Sequence, residues 1–137
     1  MRDTLRLEAG FNLYGNDMDE SVTPWESAIA FAVSLSERDF IGRDALLAQR
    51  ERGVQRRLVG VVLEGKGVMR AGAEILLDGQ LAGHATSGAF SPTLGHSIAL
   101  ARLDRTDGVA EVVLRGRRLQ VKIVKPPFVR NNTRAHR

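Results

Sequence analysis

The histidines are the side chains best suited to acid–base or metal chemistry in this chain, but their spacing predicts neither. His84, His96 and His136 show no metal-ligand pattern, and no Gly-x-Ser-x-Gly elbow accompanies them. The sequence has no cysteine, which excludes thiolate nucleophiles, cysteine-type zinc sites and disulfides. We interpret His84 and His96 as packing or surface residues and expect neither a metal site nor a conventional hydrolase.

Two polar stretches have the composition of binding loops. Residues 83–95 are rich in glycines and hydroxyls, so their amides could bind a phosphate, but the Gly-Lys-Ser/Thr of a P-loop is missing. A long structured connection between two strands is the interpretation we favour. In residues 14–20, Asp17, Asp19 and Glu20 resemble part of a calcium loop without its glycine and terminal glutamate. We predict a surface loop there.

Charge and hydropathy restrict the partners. The chain has 20 Lys plus Arg against 16 Asp plus Glu, a net charge of +4, and its basic residues are spread over several segments as on solvated faces. Nucleic-acid binding is disfavoured because few aromatic residues accompany them. The longest apolar runs, residues 28–33 and 58–63, are far shorter than the roughly 20 residues of a membrane-spanning helix. We expect a cytoplasmic protein if it is bacterial and a mitochondrial-matrix protein if it is eukaryotic.

Two helices are predicted in the first half of the chain. Residues 3–9 show helical spacing, and Gly10 suits the left-handed position after a helix end. Residues 43–52 are strong helix formers, and Gly53 is a stop signal. We predict a short helix of about two turns and a longer one at these positions.

A turn and a strand are predicted between the helices. Residues 23–26 read Thr-Pro-Trp-Glu, which has the form of a capping box and predicts a short helix or turn. In residues 30–35, Phe31, Val33 and Leu35 alternate with smaller residues, which predicts a half-buried strand.

The second half of the chain has the pattern of an all-β unit. Short runs rich in valine, isoleucine and leucine lie between glycine-containing turns, at residues 58–64, 74–77, 80–86, 98–103, 110–115 and 119–125. Six short strands imply a compact barrel or sandwich. Asp78-Gly79 is a strong signal for a two-residue hairpin turn, and Gly116-Arg117 is a weaker one.

Short blocks along the chain resemble, in the same order, the C-terminal part of glycine-cleavage T-proteins, a family of aminomethyltransferases. The blocks are residues 2–10 (RDTLRLEAG), 13–15 (LYG), 17–19 (DMD), 39–46 (DFIGRDAL), 86–88 (TSG), 90–95 (FSPTLG), 97–101 (SIALA) and 125–130 (KPPFVR). The first three resemble the end of the family's folate-binding domain, and the fourth resembles the junction after it. The last four resemble the C-terminal barrel and its closing segment.

The resemblance implies a transferase reaction. T-proteins receive an aminomethyl group held on the lipoyl arm of H-protein, pass its methylene to tetrahydrofolate and release ammonia. The implied partners are lipoylated H-protein and tetrahydrofolate, with no metal, nucleic acid or membrane. The family's key aspartate belongs to the part upstream of this sequence, and none of Asp3, Asp17, Asp19 and Asp39 matches it. We therefore assign no catalytic residue and expect the isolated chain to be inactive.

Four residues match family positions associated with folate or with domain contacts. Arg2 matches an arginine associated with folate binding, where a guanidinium can pair with a carboxylate. Phe11 matches a position that is aromatic in some relatives, so folate contact and packing under the loop are both open. Arg134 lies in the terminal segment, which approaches the folate in this family. Arg70 matches a barrel arginine, for which bracing at a domain interface is favoured over a direct role in the site.

The expected architecture is mainly β and has three parts. Residues 1–38 form a short α/β remnant of the folate-binding domain, residues 39–54 a linking helix, and residues 55–137 an antiparallel, Greek-key-like β-barrel with a polar tail. Because a helical pattern follows Met1 at once, we expect the chain to begin inside an element as the C-terminal portion of a longer protein. The alternatives are a non-catalytic barrel module that closes the folate site or binds a protein partner, and, less favoured, a basic nucleic-acid-binding barrel.

The first part of the chain also raises the hypothesis of a homodimer. Its large apolar residues would face water if no neighbouring domain covered them. These residues are Leu7, Phe11, Leu13, Trp25 and Phe31. Pairing with a second copy is one way to cover them.

Overall fold

A computed structural model describes residues 2–36, 38–131 and 133–134. The helices are α1 (Arg2–Glu8) and α2 (Arg43–Arg52), with 3₁₀ turns at Trp25–Ser27 and Ala30–Ala32. The strands are β1 (Arg57–Leu63), β2 (Glu74–Leu77), β3 (Gln80–Ser91), β4 (His96–Leu103), β5 (Ala110–Leu114), β6 (Arg117–Gln120), β7 (Lys122–Val124), β8 (Val129–Arg130) and β9 (Thr133–Arg134). None of the helices in these ranges is long and apolar enough to cross a membrane.

Seven strands form one antiparallel sheet in the order β6-β5-β2-β3-β4-β1-β7. Three consecutive strands, β2 to β4, form hairpins, and β1 lies beside β4, which is the Greek-key arrangement. The two edge strands, β6 and β7, are consecutive in the chain and are separated only by Val121, whose N–H donates to the carbonyl of Ala110 at 3.0 Å. One nearly continuous stretch therefore pairs with both ends of the sheet and curls it into a barrel. The predicted mainly β, Greek-key-like barrel is confirmed.

Two apolar clusters lie on opposite faces of the central strands. Because side chains alternate along a strand, β1 sends Val61 and Leu63 to one cluster and Leu58 and Val62 to the other. The first cluster fills the barrel. The second lies outside it and includes Leu7 of α1 together with Phe128. Burial of the outer face of these strands thus depends on α1 and on the segment after β7.

The tight turns follow the local sequence. Asp78 and Gly79 join β2 to β3 with φ values of 52° and 80°, as a type I′ hairpin turn requires. The turn between β5 and β6 lies at Arg115 and Gly116, with φ values of 50° and 76°, one residue before the predicted position. The long predicted helix is confirmed as α2, and Gly53 follows it with a φ of 89°.

Two local predictions are wrong. Residues 30–35 form no strand; a 3₁₀ turn occupies Ala30–Ala32, and the side chain of Phe31 is 88% exposed. An alternating pattern forms a strand only beside a partner, and within the described part of the chain this segment has none. Residues 83–95 are not a long connection, because β3 continues through Ser91 and only residues 92–95 turn. The small residues there let β3 pair closely with β4.

The predicted exposure of the first part is only half right. Leu7 is fully buried in the second cluster, and Trp25 is half-buried, with its Nε1 donating to the carbonyl of Leu46 at 3.0 Å. Phe11, Leu13 and Phe31 are exposed as expected. The barrel and α2 therefore cover part of the surface that prompted the hypothesis of a dimer.

Candidate functional site

Helix α1 is fixed to the outside of the barrel by its last turn. The buried carboxylate of Glu8 accepts from the hydroxyl of Ser91 at 2.5 Å and from the amide and hydroxyl of Thr93, each at 3.3 Å. The carbonyl of Glu8 accepts from the amide of Phe128 at 3.0 Å. Together with buried Leu7, these contacts hold the end of α1 between β3 and the chain after β7.

We expect Glu8→Ala to weaken this attachment by about 1–3 kcal/mol, because Ser91 loses its buried acceptor. The amides of residues 9–11 donate to backbone carbonyls of α1, so their hydrogen-exchange rates measure this local opening. Asp3→Ala is the control, since Asp3 is itself exposed and its ion pair with Arg6 should contribute less than about 1 kcal/mol. Equal acceleration of exchange in both variants would contradict this role of Glu8.

Asp17 connects the loop after α1 to the barrel. Its carboxylate is fully buried and accepts from Thr86 Oγ1 at 2.5 Å, Ser87 Oγ at 2.6 Å, the amide of Leu13 at 2.9 Å and Arg6 Nη1 at 3.0 Å. The prediction of an acidic surface loop is therefore wrong at this residue, although Asp19 lies on the surface. The hydroxyl of Ser21, and after it the Ser21 amide, donate to Asp19 and lower the pKa of its carboxyl below the usual value.

Arg102 of β4 connects the same loop to the 3₁₀ turn at Trp25–Ser27. Its guanidinium donates to the carbonyl of Glu26 at 3.0 Å and to the carbonyl of Asp17. Burial lowers the pKa of Arg102, and the nearby charge of Arg56 acts in the same direction. The carboxylates of Glu26, Asp17 and Asp19 oppose this shift. The first part of the chain thus rests on β3 and β4 through buried polar contacts.

A cleft of about 630 Å³ lies where the end of α1, the loop after it and the chain beyond β7 meet. Phe11 and Phe31 line it and expose 68% and 88% of their side chains. Leu58 and Leu100 extend the apolar surface, and Pro126 and Pro127, joined by a cis peptide bond, form another side. Lys125 and Arg130 add two cationic groups. An apolar, partly aromatic surface beside cations suits a flat ring system that carries an anionic group.

Comparison with known proteins identifies the barrel. The family model described as "Glycine cleavage T-protein C-terminal barrel domain" matches residues 56–130, more than half of the chain. The chain belongs to the glycine cleavage T-protein family. The resemblance of the short sequence blocks is thereby confirmed.

Curated relatives and a solved structure extend the match to nearly the whole chain. The aminomethyltransferase of Alcanivorax borkumensis is 55% identical over 137 residues, and that of Chromobacterium violaceum is 53% identical over 133 residues. The alignments cover 99% and 95% of this chain but only 38% and 37% of those relatives. The crystal structure of glycine cleavage system aminomethyltransferase T from Bartonella henselae superposes with a TM-score of 0.85 at 32% identity, covering 93% of this chain and 38% of that one. The chain therefore spans less than two fifths of these T-proteins.

The structure brings some of the predicted site residues near the cleft and not others. Phe11 forms one wall of it. Arg134 is exposed on β9 opposite Val129, in the hairpin that follows the proline side of the cleft. Arg2 is exposed at the start of α1, the end away from the cleft. Arg70 is exposed before β2 and does not line the cleft. Their roles toward folate stay predictions.

The residues that hold the site together were missed by sequence reasoning. Arg6, Glu8 and Asp17 lie within or beside the family blocks, but their spacing carries no local signal. Their partners are far away in the chain: Asp17 bonds to Ser87 across 70 residues and Glu8 to Ser91 across 83. The one sequence signal for buried polar contacts is that several charged residues follow one another closely along the chain in the blocks 2–10 and 17–19.

Proposed function

We propose that this chain is the C-terminal portion of an aminomethyltransferase of the glycine cleavage system. In this reaction the methylene of an aminomethyl group on the lipoyl arm of H-protein passes to tetrahydrofolate, and ammonia is released. The support is the family match of the barrel and the name aminomethyltransferase shared by relatives that are more than 50% identical. Because the chain spans less than two fifths of those relatives, we propose that it supplies a wall of the folate site and no catalytic residue.

The cleft beside Phe11 is the observation that carries this proposal. Tetrahydrofolate has a pterin with a planar pyrimidine ring, an aromatic linker and glutamate carboxylates, so it needs an apolar wall and cations. The volume of about 630 Å³ lies within the range of small-molecule sites. Phe11 would contact a ring, and Arg134 in the neighbouring hairpin would pair with a carboxylate. Arg2 lies at the end of α1 away from the cleft, so its proposed contact is with the outer, carboxylate end of the ligand.

Other parts of the chain are proposed to serve contacts between proteins or domains. The exposed apolar residues of the first part, above all Phe31 and Ile41, suit burial against the remaining domains of a complete T-protein, and Arg70 is proposed to brace that interface. The division into residues 1–38, 39–54 and 55–137 follows from the same picture. Lipoylated H-protein is the proposed macromolecular partner. Because the curated relatives are bacterial, the cytoplasm is the proposed location.

Calorimetric titration of tetrahydrofolate into the full chain tests the folate site. We expect saturable binding without turnover, and Phe11→Ala and Arg134→Ala should each weaken it about tenfold, the effect of losing one aromatic or charge-assisted contact. Arg2→Ala should weaken it in the same direction. Arg117→Ala, which changes an exposed arginine of the β5–β6 hairpin, is the matched control and should leave the Kd unchanged.

Two results would count against the folate site. A folded chain that shows no heat of binding would favour the second candidate, a non-catalytic module that closes the site of another domain. Equal losses with Arg117→Ala and Arg134→Ala would mean that net charge, and not a defined contact, attracts the anionic ligand.

A further inference from the structure

We propose that Asp17 is a positioning residue that sets the place of the Phe11 wall of the cleft. The identity of the cleft's ligand rests on the proposed function, whereas the effect of Asp17 on Phe11 does not. Asp17 itself does not line the cleft, because its carboxylate is fully buried behind the loop. Its influence must therefore pass through the backbone of residues 11–13.

Phe11 cannot be positioned by its own packing. Its side chain is largely exposed, so few contacts restrict the ring. The backbone on either side is held instead: the carbonyl of Phe11 accepts from Arg6 Nη1 at 2.6 Å, and the amide of Leu13 donates to Asp17 Oδ2 at 2.9 Å. Between them, Asn12 Nδ2 donates to the carbonyl of Ser27 at 2.6 Å. These bonds determine where the Phe11 side chain leaves the backbone.

Asp17 joins this backbone to the barrel with its two oxygens. Oδ2 accepts from Leu13 and from Arg6, whose same Nη1 holds Phe11. Oδ1 accepts from the hydroxyls of Thr86 and Ser87 on β3. These bonds fix the loop that forms one side of the cleft to strand β3 of the barrel.

A β-bulge makes the double contact with β3 possible. Consecutive side chains of a regular strand point to opposite faces, so adjacent hydroxyls do not normally reach one atom. Here Ala85 pairs with Ala101 and Ser87 pairs with Leu100, which leaves Thr86 as an extra residue. The irregularity brings both hydroxyls to Asp17 Oδ1 at 2.5 and 2.6 Å.

The site requires a carboxylate. All four of its partners are donors in these bonds, and the nearest cation, Arg6, is largely buried. An asparagine has the same shape but would turn an NH₂ group toward two of those donors and would leave Arg6 with only exposed Asp3 as an ion-pair partner. The acidic group at position 17 is thus matched to its surroundings in charge and in hydrogen-bond direction.

Fluorine NMR and folate titration on the full chain test the proposal. Phe11 is replaced by 4-fluorophenylalanine, and the same label at fully buried Phe128 reports on the core. We expect Asp17→Asn to shift the fluorine signal at position 11, to leave that at position 128 unchanged, and to raise the Kd for tetrahydrofolate by up to about tenfold, the effect of having to order one free side chain on binding. Asp19→Asn, which changes an exposed acid of the same loop, is the matched control and should change neither quantity.

The readouts separate this proposal from the proposed function. An unchanged signal at position 11 in folded Asp17→Asn would overturn the positioning role, whatever happens to folate. A shifted signal in a chain that never binds tetrahydrofolate would support the positioning role and contradict the folate site. If the fluorine signal at position 128 shows that Asp17→Asn does not fold, the milder variant Ser87→Ala replaces it. This variant removes one of the four donors to Asp17, and an unchanged signal at position 11 would overturn the proposal.

Discussion

Phe128→Ala is expected to lower the free energy of unfolding by about 3–5 kcal/mol, the usual cost of deleting a buried aromatic ring. The ring is fully buried in the cluster between the barrel and α1. It packs against β1 at Gly60, where an added Cβ would lie only 2.9 Å from Cε1 and Cζ of the ring. The cavity would open beside Leu7, so α1 should loosen together with the barrel. Urea denaturation followed by circular dichroism measures the change.

Phe31→Ala is the matched control for this prediction. It removes the same ring from a side chain that is 88% exposed, so the stability should change by no more than about 0.5 kcal/mol. A loss of stability in Phe128→Ala as small as that expected for Phe31→Ala would mean that the cluster around Phe128 does not contribute to the stability of the folded chain.

Gly83→Ala is expected to destabilise the barrel by about 3 kcal/mol or more, the upper part of the range for overpacking. A Cβ at this position would overlap the carbonyl oxygen of Arg102 on the paired strand and would lie 2.9 Å from its carbonyl carbon. These are backbone atoms of β4, so no side chain can move away to make room. The φ of Gly83 is outside the left-handed region, so an alanine there would add no backbone strain. The expected loss of stability therefore comes from the close approach of β3 and β4.

Gly65→Ala provides the comparison. Its φ is also outside the left-handed region, but the nearest atom to an added Cβ is a methyl of Leu63 at 4.0 Å. Its effect on the urea midpoint should be small, within about 0.5 kcal/mol. A stable Gly83→Ala variant would show that β3 and β4 can separate locally without loss of the barrel.

The first part of the chain is attached to the barrel, and the match to the relatives also extends beyond the barrel. The match to the family model begins at residue 56, whereas the alignment with the Alcanivorax borkumensis relative covers 99% of the chain. Residues of the first part, Glu8 and Asp17, are bonded to β3 through buried carboxylates. The barrel thus carries a piece of the preceding segment as part of its own core, and that piece contributes Phe11 to the cleft.

Local sequence was sufficient for most of the elements. The β2 strand and the α2 helix have the predicted bounds, and the turn at Asp78-Gly79 is as expected, because period-two alternation, helix formers and left-handed turn residues all act between near neighbours. The two wrong predictions concern segments whose structure depends on residues far away in the chain. Residues 30–35 have strand alternation but no partner, and β3 is longer than predicted because close pairing with β4 favours the small residues that alone suggest a loop.

The sequence by itself determined the family and the antiparallel barrel, since these depend on composition, spacing and recognisable blocks, whereas the residues expected to meet folate stay predictions. The tertiary structure alone decided which polar residues become internal. Asp17 looks like part of an acidic surface turn until Thr86 and Ser87, about seventy positions later, reach its carboxylate. Burying that charge is tolerable only because four donors, one of them the cation Arg6, converge on it, and such convergence is a property of packing between distant segments.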